Sequence, residues 1–324
     1  MYEVDLKDFR KIIQAQSDGY FKSLNRNLYQ LYLNSEDFFP RSEFIKKYLC
    51  HIEGEDRKYF VEFKNKELSI CACLKMLQWD SELLDVPTGN LEWFLFLLES
   101  PDEDVSLFLE NILKGNKKLN LVYARVSTDD LRTLPILEKN GFRVADVSQV
   151  FTYRGKYLKI LDDNQEKVSF KNYVPAEDDN FIENLASGSF KHGRFFTDTR
   201  ISDNKAAILY KKMAGSFLRK DKNALVRIAE IDGEKAGFWI GAIDEVTSKI
   251  LQSPFGYLCL IAIKPEYRGM GLGRVLINNC FNTFRGHVET IEICTQIQNT
   301  AALNLYTQAG CRIVASYVTM HYWR

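Results

Sequence analysis

Residues 257–284 read YLCLIAIKPEYRGMGLGRVLINNCFNTF, and their order decides the fold. Tyr257 to Ile263 is a continuous apolar run of strand length. Arg268-Gly269-Met270-Gly271-Leu272-Gly273 then turns the chain into a helix from Arg274 to Phe284, apolar at 276, 277, 280, 281 and 284. A buried strand, a glycine turn and an amphipathic helix place several backbone N–H groups at a helix N-terminus, where they can surround a pyrophosphate. Glycine suits that turn because a side chain would block the approach. No Gly-Lys-Ser/Thr follows, so this is not a P-loop, and Leu276 stands where the third glycine of a dinucleotide GxGxxG would be. What remains is Arg-x-x-Gly-x-Gly after a strand, with a plain tight turn capping a helix as its alternative.

Working outward, a strand at Thr290 to Thr295 and a helix from about Thr300 to Ala309 follow. Asn299, Ala302 and Tyr306 have spacing 0, 3 and 7 on one face of that helix, and Gly310 comes next. Upstream lie a strand VSFKNYV from Val168, a helix from Pro175 through Ser187, an aromatic loop, a helix from Asp203 to Leu218, and two strands across the turn Ile231–Glu234. The first half shows helical patterning in DLKDFRKIIQ and FKSLNRNLYQLYL, then strands in KYFVEF and LSICACLKML. A strand at Asn90 to Leu97, a helix near Val105 to Leu113 and a strand at Leu119 to Ser127 complete it. Strands alternating with helices predict an α/β (α+β) layered architecture. The polar segment RGKYLKILDDNQEK, 154–167, reads as the boundary between domains at 1–155 and 165–324.

At an offset of 169 residues the halves align, with LPILEKNGFRV (134–144) on LNLYTQAGCRI (303–313). Leu134, Gly141, Arg143 and Tyr153 meet Leu303, Gly310, Arg312 and Tyr322, and the flanking strands fall in register, which reads as an internal duplication. Tyr306 meets Leu137, Asn299 meets Asp130, and the region opposite the glycine loop, near Glu99 to Asp104, has no glycine. Only the second copy is expected to keep its chemistry.

The glycine loop followed by N-x-x-A-x-x-x-Y and a glycine resembles the Gcn5-related N-acetyltransferase (GNAT) superfamily. That resemblance implies tandem GNAT-like domains, each a mixed central sheet flanked by helices, with the N-terminal copy degenerate. It also implies acetyl-CoA as donor, its pyrophosphate on the N–H groups of Arg268, Gly269, Met270, Gly271, Leu272 and Gly273 and its pantetheine arm along Ile261, Ala262 and Ile263. Tyr306 would protonate the leaving thiolate, and Asn299 would order the pantetheine or the tyrosine. Cys311 replaces the usual phenylalanine after glycine. Glu292, His321 and a water chain stay open as the general base.

Shorter pieces are similar to the two-domain dTDP-fucosamine acetyltransferase group: Trp79-Asp80-Ser81, Arg194-Phe195-Phe196-Thr197-Asp198, Thr295-Gln296 and Tyr322-Trp323. Leu83-Leu84-Asp85, Phe196 and Thr199 depart from that group, which bears on the acceptor more than on the donor. Arg194 suits a phosphate or carboxylate, Phe195 and Phe196 a base or sugar face, and Asp198 an amine or hydroxyl, against the plain alternative of a loop pinned by aromatic burial. The expected function is N-acetylation of a small primary amine, foremost an amino sugar linked to a nucleotide. An amino acid, polyamine, antibiotic or peptide N-terminus as acceptor, or a non-catalytic acyl-CoA sensor, is the alternative.

Composition sets the outer bounds. The 324 residues, 46% apolar and 27% charged, are those of a globular chain of about two domains. Forty-three basic residues balance 43 acidic ones, which argues against a nucleic acid or a membrane surface as partner. Seven cysteines without a CxxC pair, and four scattered histidines, suggest reduced thiols and no metal. With no signal region at the start and no long apolar run, a cytoplasmic monomer or homodimer is expected.

Overall fold

The computed structural model describes residues 1–25, 41–51, 54–154, 167–220 and 224–324. The first half runs β1 (Tyr2–Val4), α1 (Leu6–Gln14), α2 (Asp18–Lys22), α3 (Arg41–His51), β2 (Arg57–Lys64), β3 (Glu67–Met76), α4 (Gln78–Leu84), β4 (Thr88–Phe96), α5 (Asp102–Gly115), β5 (Leu121–Ser127), α6 (Thr133–Lys139) and β6 (Arg143–Arg154). The second repeats that plan as β7 (Val168–Asn172), α7 (Asp179–Ser189), α8 (Arg194–Thr197), α9 (Asp203–Lys220), β8 (Ala224–Ile231), β9 (Glu234–Ile243), α10 (Glu245–Leu251), β10 (Phe255–Ile263), α11 (Leu272–Phe284), β11 (Thr290–Gln296), α12 (Thr300–Gln308) and β12 (Arg312–Trp323). No helix among the described residues is long and apolar enough to cross a membrane.

Two compact units result, Met1–Val147 with Ala315–Arg324, and Ser148–Val314. This corrects the boundary expected between 155 and 165. The cause is a reciprocal exchange of the last strand of each half. In the first unit the sheet order is β1-β2-β3-β4-β5-β12, and in the second β6-β11-β10-β9-β8-β7. Tyr317–Trp323 pairs antiparallel with Ser127–Leu121, while Ser148–Arg154 pairs antiparallel with Gln296–Thr290. Every residue of one pairing maps onto the other at the offset of 169 seen in the sequence.

Packing repeats the same correspondence. A Cβ on Gly141 would sit 3.4 Å from the ring of Tyr322, and one on Gly310 would sit 3.7 Å from the ring of Tyr153. Both glycines have φ near 90°, a backbone that favours the residue without a Cβ. Ser81 and Ser248 have matching local duties. Each hydroxyl donates to the carbonyl four residues back, Leu77 O at 2.6 Å and Asp244 O at 2.5 Å. Each also accepts from the first N–H of the next strand, Thr88 at 2.8 Å and Phe255 at 2.9 Å. The Trp79-Asp80-Ser81 segment therefore includes a turn-fixing serine.

The first unit buries Phe94, Phe96, Phe108, Leu109, Ile112 and Met320 between its sheet and α5 and α6. The second buries Leu258, Leu276, Ile277, Phe281, Ile291 and Ile293 under α11 and α12, and Ile182, Ala214, Ile228 and Ile240 under α7 and α9. Of the stretch FKSLNRNLYQLYL, Phe21 and Lys22 are helical and Leu24 forms a β-bridge with Leu97 instead, while its residues from 26 on lie outside the described ones.

Candidate active site

The site begins where two strands part. β10 and β11 pair in parallel only from Phe255↔Thr290 to Leu258↔Ile293, yet β10 continues to Ile263 and β11 to Gln296. A register shift between Leu258 and Leu260 turns β10 away while it stays paired to β9. Lys264 N–H donates to Ala236 O at 2.9 Å on the β9 side, so strand alternation points the N–H and C=O of Ile261 and Ile263 into the opening. An extended chain bearing amides fits such an unpaired edge. Sequence reasoning named these residues but missed the divergence, whose signal is the single-residue bulge at Cys259.

At the end of the opening stands the glycine loop. A short 3₁₀ turn, Pro265–Tyr267, leads into it, and the Arg268 guanidinium is anchored to Ile263 O at 3.1 Å. Gly269 and Gly271 have φ of 77° and 81°, and a Cβ on either would meet nothing within 4 Å. The loop is thus held by backbone conformation, with its outer face clear. Gly271 is the N-cap of α11 and supplies no side-chain cap, so helix geometry leaves the N–H groups of Leu272 and Gly273 without an intrahelical acceptor. That cradle fits a phosphate group. A Cβ on Gly273 would stand in ordinary contact, 3.4 Å from Leu305 and 3.6 Å from Ile263.

α12 forms the opposite wall. Asn299 is its N-cap: Oδ1 accepts from Ala302 N–H at 3.2 Å and the side-chain amide donates to Thr295 Oγ1 at 3.2 Å. Through this cap Asn299 fixes the helix that carries Tyr306. Tyr306 is 3% exposed, in one cluster with Leu272, Ile293 and Cys311 and with half-buried Ile261, Ile263 and Ala302 against it. Burial, reinforced by the thiols of Cys311, Cys294 and Cys280, holds its phenol well above the ordinary tyrosine range. It is therefore a protonated hydroxyl at any physiological pH. Sequence reasoning did not connect Phe151 with this site. The Phe151 ring meets Tyr306 edge-on, centroids 5.6 Å apart, and Tyr153 stacks on Phe281 at 3.9 Å.

The other expected residues lie on other elements. Arg194 and Phe195 begin α8, where Phe195, 2% exposed, packs with Tyr210 and carries the Arg194 guanidinium 4.6 Å over its ring. Phe196 stacks on Tyr210 as well, and Asp198 accepts from Arg200 N–H at 3.0 Å. Phe195 thus serves to pin the loop. Glu292 is 8% exposed on β11, in register with Tyr257 and Thr152. His321 belongs to the first unit, its ring 4.8 Å from that of Tyr123.

Diverging parallel strands, an open glycine loop on a helix N-terminus and a buried tyrosine across the cleft define the class. Residues 187–311 match the family model described as "Acetyltransferase (GNAT) family". N-alpha-acetyltransferase 30 of Saccharomyces cerevisiae is 36% identical over 56 residues, 17% of this chain and 32% of that protein, so the match spans about a third of that relative's length. Among solved structures, a GCN5-related N-acetyltransferase from Sphaerobacter thermophilus shares 92% of this chain and 91% of its own at TM-score 0.61 and 14% identity. A tandem GNAT protein from the clavulanic acid biosynthesis pathway shares 88% of each chain at TM-score 0.58 and 12% identity. These two are likenesses of fold, and they extend over both halves.

Proposed function

We propose that the chain is an acetyl-CoA-dependent N-acetyltransferase whose donor site is the cleft between β10 and β11. The observation that carries this reading is the combination of the unpaired Ile261–Ile263 edge with the exposed Gly269–Gly273 cradle. When bound there, acetyl-CoA supplies the thioester that a neutral amine attacks. The chain's own residues do the rest. The N–H groups of Leu272 and Gly273 hold the phosphates, with the helix dipole favouring negative charge. The edge of β10 orients the amide-bearing arm and presents backbone N–H groups toward the developing oxyanion. Tyr306 keeps a proton on Oη, ready for a leaving thiolate, because burial disfavours its anion.

For the acceptor we propose a small primary amine, foremost an amino sugar joined to a nucleotide. Support comes from Arg194 on α8, whose planar fork suits a phosphate, and from exposed Lys191, His192 and Arg200 around it. A peptide N-terminus is the second reading, favoured by the short likeness to an N-alpha-acetyltransferase. Release of free thiol from acetyl-CoA, measured against nucleotide-linked 4-amino sugars, amino acids, polyamines and peptides, separates them. Tyr306→Phe is expected to lower kcat by about 100-fold, the usual scale for losing a general acid. Turnover on peptides alone overturns the sugar reading; binding without turnover on any amine, unchanged in Tyr306→Phe, makes the chain an acyl-CoA sensor.

A further inference from the structure

The first unit contains the same parting of strands. β4 and β5 pair in parallel only from Thr88↔Leu121 to Leu91↔Ala124, and β4 runs on to Phe96 past a register shift at Glu92. Phe94 pairs with Ala72 and Phe96 with Ile70, as Ile261 pairs with Trp239 and Ile263 with Gly237, an offset of 167 residues throughout. Leu97 N–H donates to Ser69 O at 3.0 Å, so the polar groups of Phe94 and Phe96 face the opening, like those of Ile261 and Ile263.

In the first unit that edge is taken. Asn25 N–H donates to Phe96 O at 2.9 Å, and Asn25 Oδ1 accepts from Phe96 N–H at 2.9 Å. Its side-chain amide donates to Phe94 O at 3.1 Å and reaches across to Asp130 Oδ2 at 3.0 Å and Thr133 Oγ1 at 2.9 Å. Leu98 N–H donates to Ser23 O at 2.8 Å, and Leu24 bridges Leu97. Asn25 is 1% exposed. One amide therefore satisfies a strand edge and spans the opening, the pattern of contacts that the amides of a pantetheine arm would need.

The mouth is closed by charge. Where α11 starts Gly271-Leu272-Gly273, α5 follows Pro101 with Asp102, Glu103 and Asp104 in its first turn. These carboxylates already use the helix dipole, Asp102 paired with Arg132 and Asp104 with Lys64 at 3.3 Å. Arg132 lies across the entrance, over the Phe96 ring at 5.1 Å, donating to Leu98 O, to Ser100 O at 2.6 Å and to Asp102.

We infer that Ser23–Asn25 is the resident occupant of the first unit's cleft, a strand-edge ligand built into the chain, and that the chain binds a single acyl-CoA. The stoichiometry rests on the reading of the second unit's cleft as the donor site; the occupancy by Asn25 does not.

Two measurements on the full chain test this separately. Calorimetric titration with acetyl-CoA is expected to give one site per chain, weakened about fivefold in Gly271→Asp. Hydrogen exchange is expected to show the Asn25 and Phe96 amides slowed by at least about a hundredfold, as for core amides, and unmoved by saturating acetyl-CoA. A second site, or a site whose affinity is unchanged in Gly271→Asp, overturns the single-site inference, as does a change at Asn25 or Phe96 on adding acetyl-CoA. Fast exchange at those amides overturns the occupancy. No binding by the wild-type chain sinks the proposed function, while slow exchange at Asn25 would still uphold the occupant.

Discussion

Asp130 and Asn299 hold the same position in the two halves, one accepting from Thr133 N–H at 3.1 Å and the other from Ala302 N–H at 3.2 Å. Around the first, the cleft closes on Asn25; around the second, it stays open toward the glycine loop. Leu137 stands where Tyr306 stands, and three acids stand near the glycines. The frame of parting strands, bulge and capped helix is the same in both, so the frame does not decide chemistry. What decides it is a handful of groups placed on that frame.

The largest effect is expected from removing what the halves exchange. A fragment of residues 148–314 contains every strand of the second unit, whereas one of residues 165–314 lacks the Ser148–Arg154 strand. That strand brings Phe151 and Tyr153 into the core, and losing a buried aromatic costs about 3–5 kcal/mol. Two such losses approach a domain's whole stability, about 5–15 kcal/mol. By circular dichroism, 148–314 is expected to melt cooperatively and 165–314 to show no transition. Equal melting of both fragments would make the exchanged strand dispensable.

The exchange explains why the boundary was not legible in the sequence. Ser148–Arg154 and Tyr317–Trp323 are both largely buried strands, and they pair in equivalent register with Thr290–Gln296 and Leu121–Ser127. A pattern fixes which face of a strand is buried but not which of two equivalent edges it joins. The glycine loop, the helix with Asn299 and Tyr306, and the offset of 169 were legible because each is a local spacing. Asn25 was not, since its partners Phe94, Phe96 and Asp130 are remote in sequence and its own neighbourhood reads as helix. The burial of Phe195 against Tyr210 was not legible for a related reason, as it depends on how α9 packs.

A smaller effect comes from making the second cleft resemble the first at one point. Gly271→Asp puts a carboxylate where the cradle receives phosphate, on a residue with φ of 81°. Folding should survive, because a Cβ there meets nothing within 4 Å and aspartate is a favoured N-cap. Repulsion of about 1 kcal/mol predicts a rise of roughly fivefold in the KM for acetyl-CoA, with kcat little changed, while backbone strain of about 1 kcal/mol falls on stability. Steady-state kinetics with melting as the control checks this, and an unchanged KM would remove the phosphate role from the loop.

The finest contrast is between Tyr306 and a buried tyrosine of the first unit, Tyr59. Burial is the leading cause of the raised pKa at both, carrying Tyr59 up to about 12 and Tyr306 further. An ordinary phenol titrates near 10, so above that pH the unfolded chain releases protons that the folded chain retains. The folded state then binds more protons, and stability falls as pH rises from about 10 toward the folded values. Tyr306→Phe and Tyr59→Phe should each soften that alkaline loss, because each removes one retained proton. Under the proposed mechanism only Tyr306 gives its proton to the chemistry. The wild-type kcat is therefore expected to pass through pH 10 without a fall, where a solvent-exposed phenol acting as acid would already be losing its proton. In Tyr59→Phe the kcat profile should match the wild type; in Tyr306→Phe it should lie lower at every pH. A fall in wild-type kcat centred near 10, measured at saturating acetyl-CoA and amine while the chain remains folded, would mean that the acid is not a buried phenol.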